Sequence, residues 1–331
     1  MARNAAAVVA STPPVPPADA LESRRSAVDR FGDQALRAIT AAAAAGSFVL
    51  IGLIIYKVID GARPSISHFG ISFLWHETWN AVTGQFGALD FIFGTVYTTL
   101  FAVIIAAPIS IAIALFLTEL APRSVRAVIG PLVEMLAAIP SVVLGLWGIL
   151  VLLPVIVDQF GPWLNDAFGW TPFFNSRPAV GSTVFAMVLI LTIMIVPITS
   201  SICRDLFLQV PADIKEGALG LGLTRWEMIR GVVLPYTRGG IVAAVLLGGG
   251  RAVAEAIAVS QVGGNTPNLS LNLFQTGATL AGQIANQYQG AVSNLQIASL
   301  FYLGLILLVM SLIVNFSAQI IVRRFAIERA H

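Results

Sequence analysis

Six stretches of this chain stay apolar for about the twenty residues that a helix needs to cross the hydrocarbon of a bilayer. They run from about 36 to 59, 91 to 117, 127 to 157, 181 to 202, 239 to 260 and 297 to 321. Backbone in lipid has no water to satisfy it, so segments of this kind are restricted to helices. The expected fold class is an all-α polytopic membrane protein with six transmembrane helices. With 57% hydrophobic and 11% charged residues, the chain is far from the usage of a soluble domain. A net charge of +2 gives no reason to expect a nucleic-acid partner. The single cysteine, Cys203, rules out an internal disulfide, and no Cys/His cluster suggests a metal.

Orientation follows from the nineteen Lys and Arg residues. With a cytoplasmic N-terminus, fifteen fall inside, including Arg123, Arg126, the five from Arg204 to Arg238, and Arg323, Arg324 and Arg329. Only Lys57, Arg63 and Arg177 fall outside, which by the positive-inside rule places both termini in the cytoplasm. The chain divides into a Pro-rich cytoplasmic tail (1–34) expected to be disordered, a first helix with an outer loop (35–90), a main membrane domain (91–322) and a short C-terminal tail (323–331). The third apolar run is too long for one simple span and carries Pro131, Pro140 and Pro154, so a kink, an interfacial start or a break is expected. Glu134 at its basic end is expected to snorkel, cap a turn or pair with Arg126. His68 and His76 in the first outer loop are expected to be solvated or interfacial rather than ligands, and Trp75 and Trp79 to lie in an aromatic belt.

The densest chemistry lies between the fourth and fifth runs, in CRDLFLQVPADIKEGALGLGLTRWEMIRGVVLPYTR, residues 203 to 238. Apolar residues Leu219, Leu223, Trp226, Ile229 and Val233 recur at helical spacing. The pattern predicts a short amphipathic helix, a glycine turn, a second helical piece, and a reset of the chain at Pro235. A surface helix with exposed apolar residues needs a partner. The run EGALGLGLTRWEMIRGVVLP resembles the cytoplasmic EAA loop of ABC importer permeases, with Glu216, Ala218, Gly222, Leu234 and Pro235 at the matching positions and Gly217 and Val232 departing conservatively.

That resemblance implies a type I ABC importer permease fold in the bacterial inner membrane, with the loop (204–235) serving as the coupling helix that sits in a groove of the ATPase subunit. The chain cannot bind ATP through a Walker A loop, because Lys57 and Lys215, its two lysines, are followed by valine and glutamate. ATP and magnesium are therefore assigned to a separate ATPase, and this chain is expected to bind no cofactor or metal and to be no enzyme. The segments LAAIPSVVLGLWGILVLLP, GGGRAVAEAIAV and GNTPNLSLNLFQTGATLAGQIAN resemble the C-type permease subunits of bacterial phosphate importers. The likeness implies a homologous A-type permease, a dimer of ATPase subunits and an extracytoplasmic phosphate-binding protein as partners. Permeases for molybdate or sulfate share the fold and form the alternative. An ion-coupled secondary transporter explains buried charge too, but not the EAA loop.

Within GGGRAVAEAIAV, Arg251 and Glu255 stand four residues apart in an otherwise apolar run. On one helix they share a face and can touch, and Arg251 lies roughly 24 Å along from Pro235, deep in the membrane. Charges at that depth must face protein or water. A structural clamp is one reading. The other is a substrate pathway, because a guanidinium presents forked donors to a tetrahedral oxyanion and the carboxylate can reclaim it when the anion leaves. The uncharged stretch from Gln261 to Gln296 is expected to cap the outer face and to meet the binding protein.

Overall fold

The computed structural model describes residues 27–327, so the expected tail up to residue 26 and residues 328–331 lie outside it. Helix α1 (Ala27–Phe69) begins inside the stretch expected to be a tail and continues past the expected end of the first span. The residues from Ala27 to Ala35 contain no proline, so nothing forces the helix to stop before the apolar stretch. By contacts the chain falls into two units that divide after Lys57. In the first, the helix is exposed along its apolar residues, Phe48, Ile51 and Ile54 among them. The second unit, from Val58, holds everything described below.

A 3-10 turn (Gly70–Leu74) and a two-residue hairpin, β1 (Trp79–Asn80) with β2 (Gln85–Phe86), lead into α2 (Leu89–Leu115). Trp79 is half-buried against the core: it packs edge-on against Phe86 and Phe91 and donates to Gln287 Oε1 at 2.7 Å. A π turn (Phe116–Leu120) closes α2. The third apolar run does break. Amphipathic α3 (Arg123–Ala137) ends before Pro140, which can neither donate to a helix nor leave its predecessor helical. The span itself then runs from Ser141 to Phe168, displaced from the expected 127–157, through α4 (Ser141–Trp147), α5 (Leu153–Val155) and α6 (Gly161–Phe168) joined by π turns.

Next come α7 (Val184–Leu208), α8 (Ala212–Gly220), α9 (Arg225–Met228), a π turn (Ile229–Val233) and α10 (Leu234–Val253). Pro235 does not reset the chain. The π turn carries the helix past it, since Leu234 N–H bonds Ile229 O and the amide missing from proline falls where the bonding frame has already shifted. The fifth span is thus one helical path from Arg225 to Val253 rather than 239–260. Short α11 (Ile257–Val262) and α12 (Leu280–Gln287) precede α13 (Asn294–Ile327), which runs into the stretch expected to be the C-terminal tail. Among the described residues, six helices are long and apolar enough to cross a membrane.

The core is built around α7. Of its most apolar window 67% is buried, against 28% for the spans of α2 and α13. Its inner residues Ile190, Leu191 and Ile195 meet Ala102 and Ala106 of α2, Val259 and Val262 of α11, and the buried Leu273 and Phe274. The stretch from Gln261 to Gln296 is therefore less a surface cap than a plug. Asn272 donates to Asn175 Oδ1 and Ser176 Oγ, Tyr97 donates to Leu271 O, and Leu280 N–H reaches Thr95 Oγ1. These bonds satisfy part of what the loop buries, while Gln261 Oε1 and Gln283 Nε2 are buried with no partner among the described residues.

Candidate functional site

The expected coupling segment forms the surface of the molecule's basic end. From Pro211 the chain turns into α8, whose inward residue Ala218 lies among Cys203, Phe207, Met228, Ile229 and Val233. Gly222 then adopts φ +88°, a left-handed conformation that costs glycine nothing, and Leu223 N–H returns to Ala218 O at 3.3 Å to close the helix end. Thr224 starts α9 with a capping box: its hydroxyl receives Glu227 N–H while Glu227 receives Thr224 N–H. Leu234 and Pro235 form the first residues of α10, so of the five predicted coupling residues Glu216 and Gly222 are surface positions while Ala218 is a packing position.

What this loop leaves outside is apolar. Leu219, Leu221, Leu223 and Trp226 are exposed, Leu221 to 86% and Trp226 to 63%, around the exposed carboxylate of Glu216. These side chains are clustered on a short helical hairpin.

Two ion pairs that the sequence did not reveal anchor the same end. Lys215 Nζ meets Glu119 Oε1 at 2.6 Å and also donates to Phe207 O at 3.0 Å. Arg204 meets Glu134 Oε1 at 2.5 Å, replacing the expected Arg126–Glu134 pair, because Arg126 instead donates to Thr118 O. Neither partner can be found by local spacing, since Lys215 and Glu119 are 96 residues apart.

At the other end of α10 the glycines of GGGRAVAE do the packing. A Cβ on Gly248 would meet Thr199 Oγ1 at 2.6 Å and Ile195 at 2.9 Å, and one on Gly249 would meet Val103 at 3.2 Å. Small residues that let helices approach this closely are the usual interface of membrane bundles. With that face taken, Arg251 shares the exposed side with Leu247, one turn back. It lies in the last turn of α10, where the free carbonyls favour a cation.

Glu255 is not on that helix. Alpha-10 ends at Val253, Glu255 N–H bonds Ala252 O, and the side-chain Oε1 accepts from Ala258 N–H at 3.2 Å, the first turn of α11. The expected ion pair between Arg251 and Glu255 does not form: none of the salt bridges among the described residues joins them. Neither glycine nor proline marks the break in the sequence. Its cause is tertiary, since α11 turns away to pack on α4, where Gly145 faces Ala258 and Gln261, and Gly148 faces Val262. The two stretches IPSVVLGLWG and GRAVAE are thus brought together through the element that follows the second.

Residues 110–327 match the model of a family described as binding-protein-dependent transport system inner membrane component. The chain belongs to that family. This permease is 43% identical over 307 residues to a phosphate transport system permease protein PstC of Mesorhizobium japonicum, covering 91% of this chain and 94% of that one. It is 42% identical to the PstC of Pasteurella multocida, with 84% and 87% covered. Among solved structures it shares the fold of a chain of a bacterial alginate ABC transporter in complex with an alginate pentasaccharide-bound periplasmic protein, with a TM-score of 0.58, 16% identity, and 89% of this chain and 97% of that one covered. The permease is a multi-pass inner-membrane transport component with the type I ABC importer permease fold, and it is not an enzyme.

Proposed function

We propose that this permease is the C-type membrane subunit of an ATP-driven phosphate importer. The observation that carries the reading is its nearly full-length likeness to relatives named as phosphate transport permeases, at 43% identity. The exposed Leu219, Leu221, Leu223 and Trp226 support a second part of it, docking of the EAA loop on a separate ATPase that binds the ATP and magnesium. In this reading Glu216, Ala218, Gly222, Leu234 and Pro235 shape the coupling element. A homologous A-type permease supplies the other half of the pathway, and an extracytoplasmic phosphate-binding protein delivers the anion.

Arg251 and Glu255 line that pathway. The Arg251 guanidinium is exposed and makes no ion pair with Glu255, so in this reading it offers its fork to phosphate. Glu255, held one turn beyond by its bond to Ala258, can receive a proton-bearing phosphate oxygen, which fully ionised sulfate does not offer. The test is uptake of labelled inorganic phosphate by the assembled complex in vesicles. Uptake stops when the ATPase partner is catalytically disabled, and it falls when Gly222→Val forces a β-branched residue to φ +88°. Uptake that survives both changes overturns the coupling reading; uptake inhibited equally by molybdate and sulfate overturns the choice of phosphate.

A further inference from the structure

We propose that Lys215 and Glu119 form a strut that makes α8 move as one body with the basic ends of α2 and α7, so that Glu119, outside the coupling loop, is a positioning residue for transport. The inference rests on the coupling reading above.

Its foundation is the geometry around one ammonium. Lys215 Nζ is 2.6 Å from Glu119 Oε1 and 3.0 Å from Phe207 O, with side-chain exposures of 17% for the lysine and 9% for the glutamate. Three elements therefore share one cation: α8, the π turn that closes α2, and the last turn of α7. Charges so far out of water strongly disfavour separation, because each would be left desolvated and unpaired. The π turn is itself held on its other side by Arg126, which donates to Thr118 O. Such turns are frequent at functional sites.

The position of Lys215 on α8 gives the strut its leverage. Ala218, one turn further on, is the helix's buried residue, and Lys215 is the only other residue of α8 that is not exposed. Ala218 has no more than a methyl group to resist a roll of α8 about its own axis. The bonds that close the far end of the helix, Gly222 N–H to Leu219 O and Leu223 N–H to Ala218 O, return to α8 itself and do not tie it to α2 or α7. A force applied to the outward Glu216, Leu219 and Leu221 would turn the helix unless something fixes its rotation. The ion pair fixes it, and its second anchor on Phe207 O directs the motion into α7, the most buried span.

The experiment measures phosphate uptake and ATP hydrolysis in the same vesicles containing the assembled transporter. Variants are Glu119→Gln, Lys215→Met and the double exchange Glu119→Lys with Lys215→Glu; Arg63→Ala, in an exposed ion pair at the opposite end, is the control. Each single variant is expected to raise the ATP consumed per phosphate imported about tenfold, the scale of mutations along a coupling network. The double exchange is expected to return the ratio to about that of the control. An unchanged ratio in the single variants overturns the strut, as does a parallel loss of both activities with less complex recovered, which a purely structural pair would give. If neither single variant assembles, a raised ratio in the double exchange overturns it and a normal ratio supports it. A Leu221→Cys cross-link to the ATPase separates this failure from that of the coupling reading. If the link forms and the ratio is unmoved, the strut alone is wrong, whereas no link means that the docking face itself is misassigned.

Discussion

Charges behave in opposite ways at the two ends of α10. At the basic end, Glu119 and Glu134 find Lys215 and Arg204 across long stretches of chain, and the pairs bind four elements together. At the far end, Arg251 and Glu255 sit four residues apart and yet make no pair, because a helix break has turned one of them away. Proximity in sequence thus gave the wrong partner and distance in sequence hid the right ones. The contrast also separates roles. In the proposed reading the paired charges hold structure, while the exposed Arg251 is available to cargo.

The largest expected effect breaks that contrast at its open end. Arg251→Lys keeps the charge and loses the forked donors, so the initial rate of phosphate uptake falls about 30-fold, equivalent to about 2 kcal/mol for a hydrogen bond to a charged group. A rate within about twofold of normal would remove Arg251 from the pathway. A smaller effect sharpens the account of Glu255. If its carboxylate caps α11, Glu255→Ala lowers the unfolding free energy of the purified complex by about 1 kcal/mol, and Glu255→Gln, whose carbonyl can still accept Ala258 N–H, costs less. Equal losses in the two variants would mean that charge, and not the cap, is what matters. The smallest effect is expected at Arg177, whose pair with Asp166 lies in water with both side chains largely exposed. Arg177→Ala should shift stability by no more than about 0.5 kcal/mol, read from the same unfolding curves.

Much of the architecture was legible because hydropathy is a one-dimensional signal. The second, fourth and sixth spans lie within a few residues of where their apolar runs place them, and the glycine turn at Gly222 follows from a conformation that other residues resist. The misplaced boundaries have physical causes. Pro140 ends α3 and moves the third span onward, while Pro235 fails to stop the fifth because a π turn had already shifted the hydrogen-bond frame. The burial of Leu273, Phe274 and Leu280 was hidden by a polar loop composition, since the partners of Asn272 and Thr95 are distant in the chain.

The sequence by itself determined that this is a six-span helical membrane protein with most of its basic residues on one side and two charges, Arg251 and Glu255, in an otherwise apolar run. Those properties are sums or short patterns along the chain, and bilayer thickness converts them directly into structure. Only the tertiary structure decided which charges pair, where the fifth helix ends and what the uncharged loop fills. Each of these depends on side chains brought together from remote positions, as when Gly145 and Gly148 admit α11 and so turn Glu255 away from Arg251.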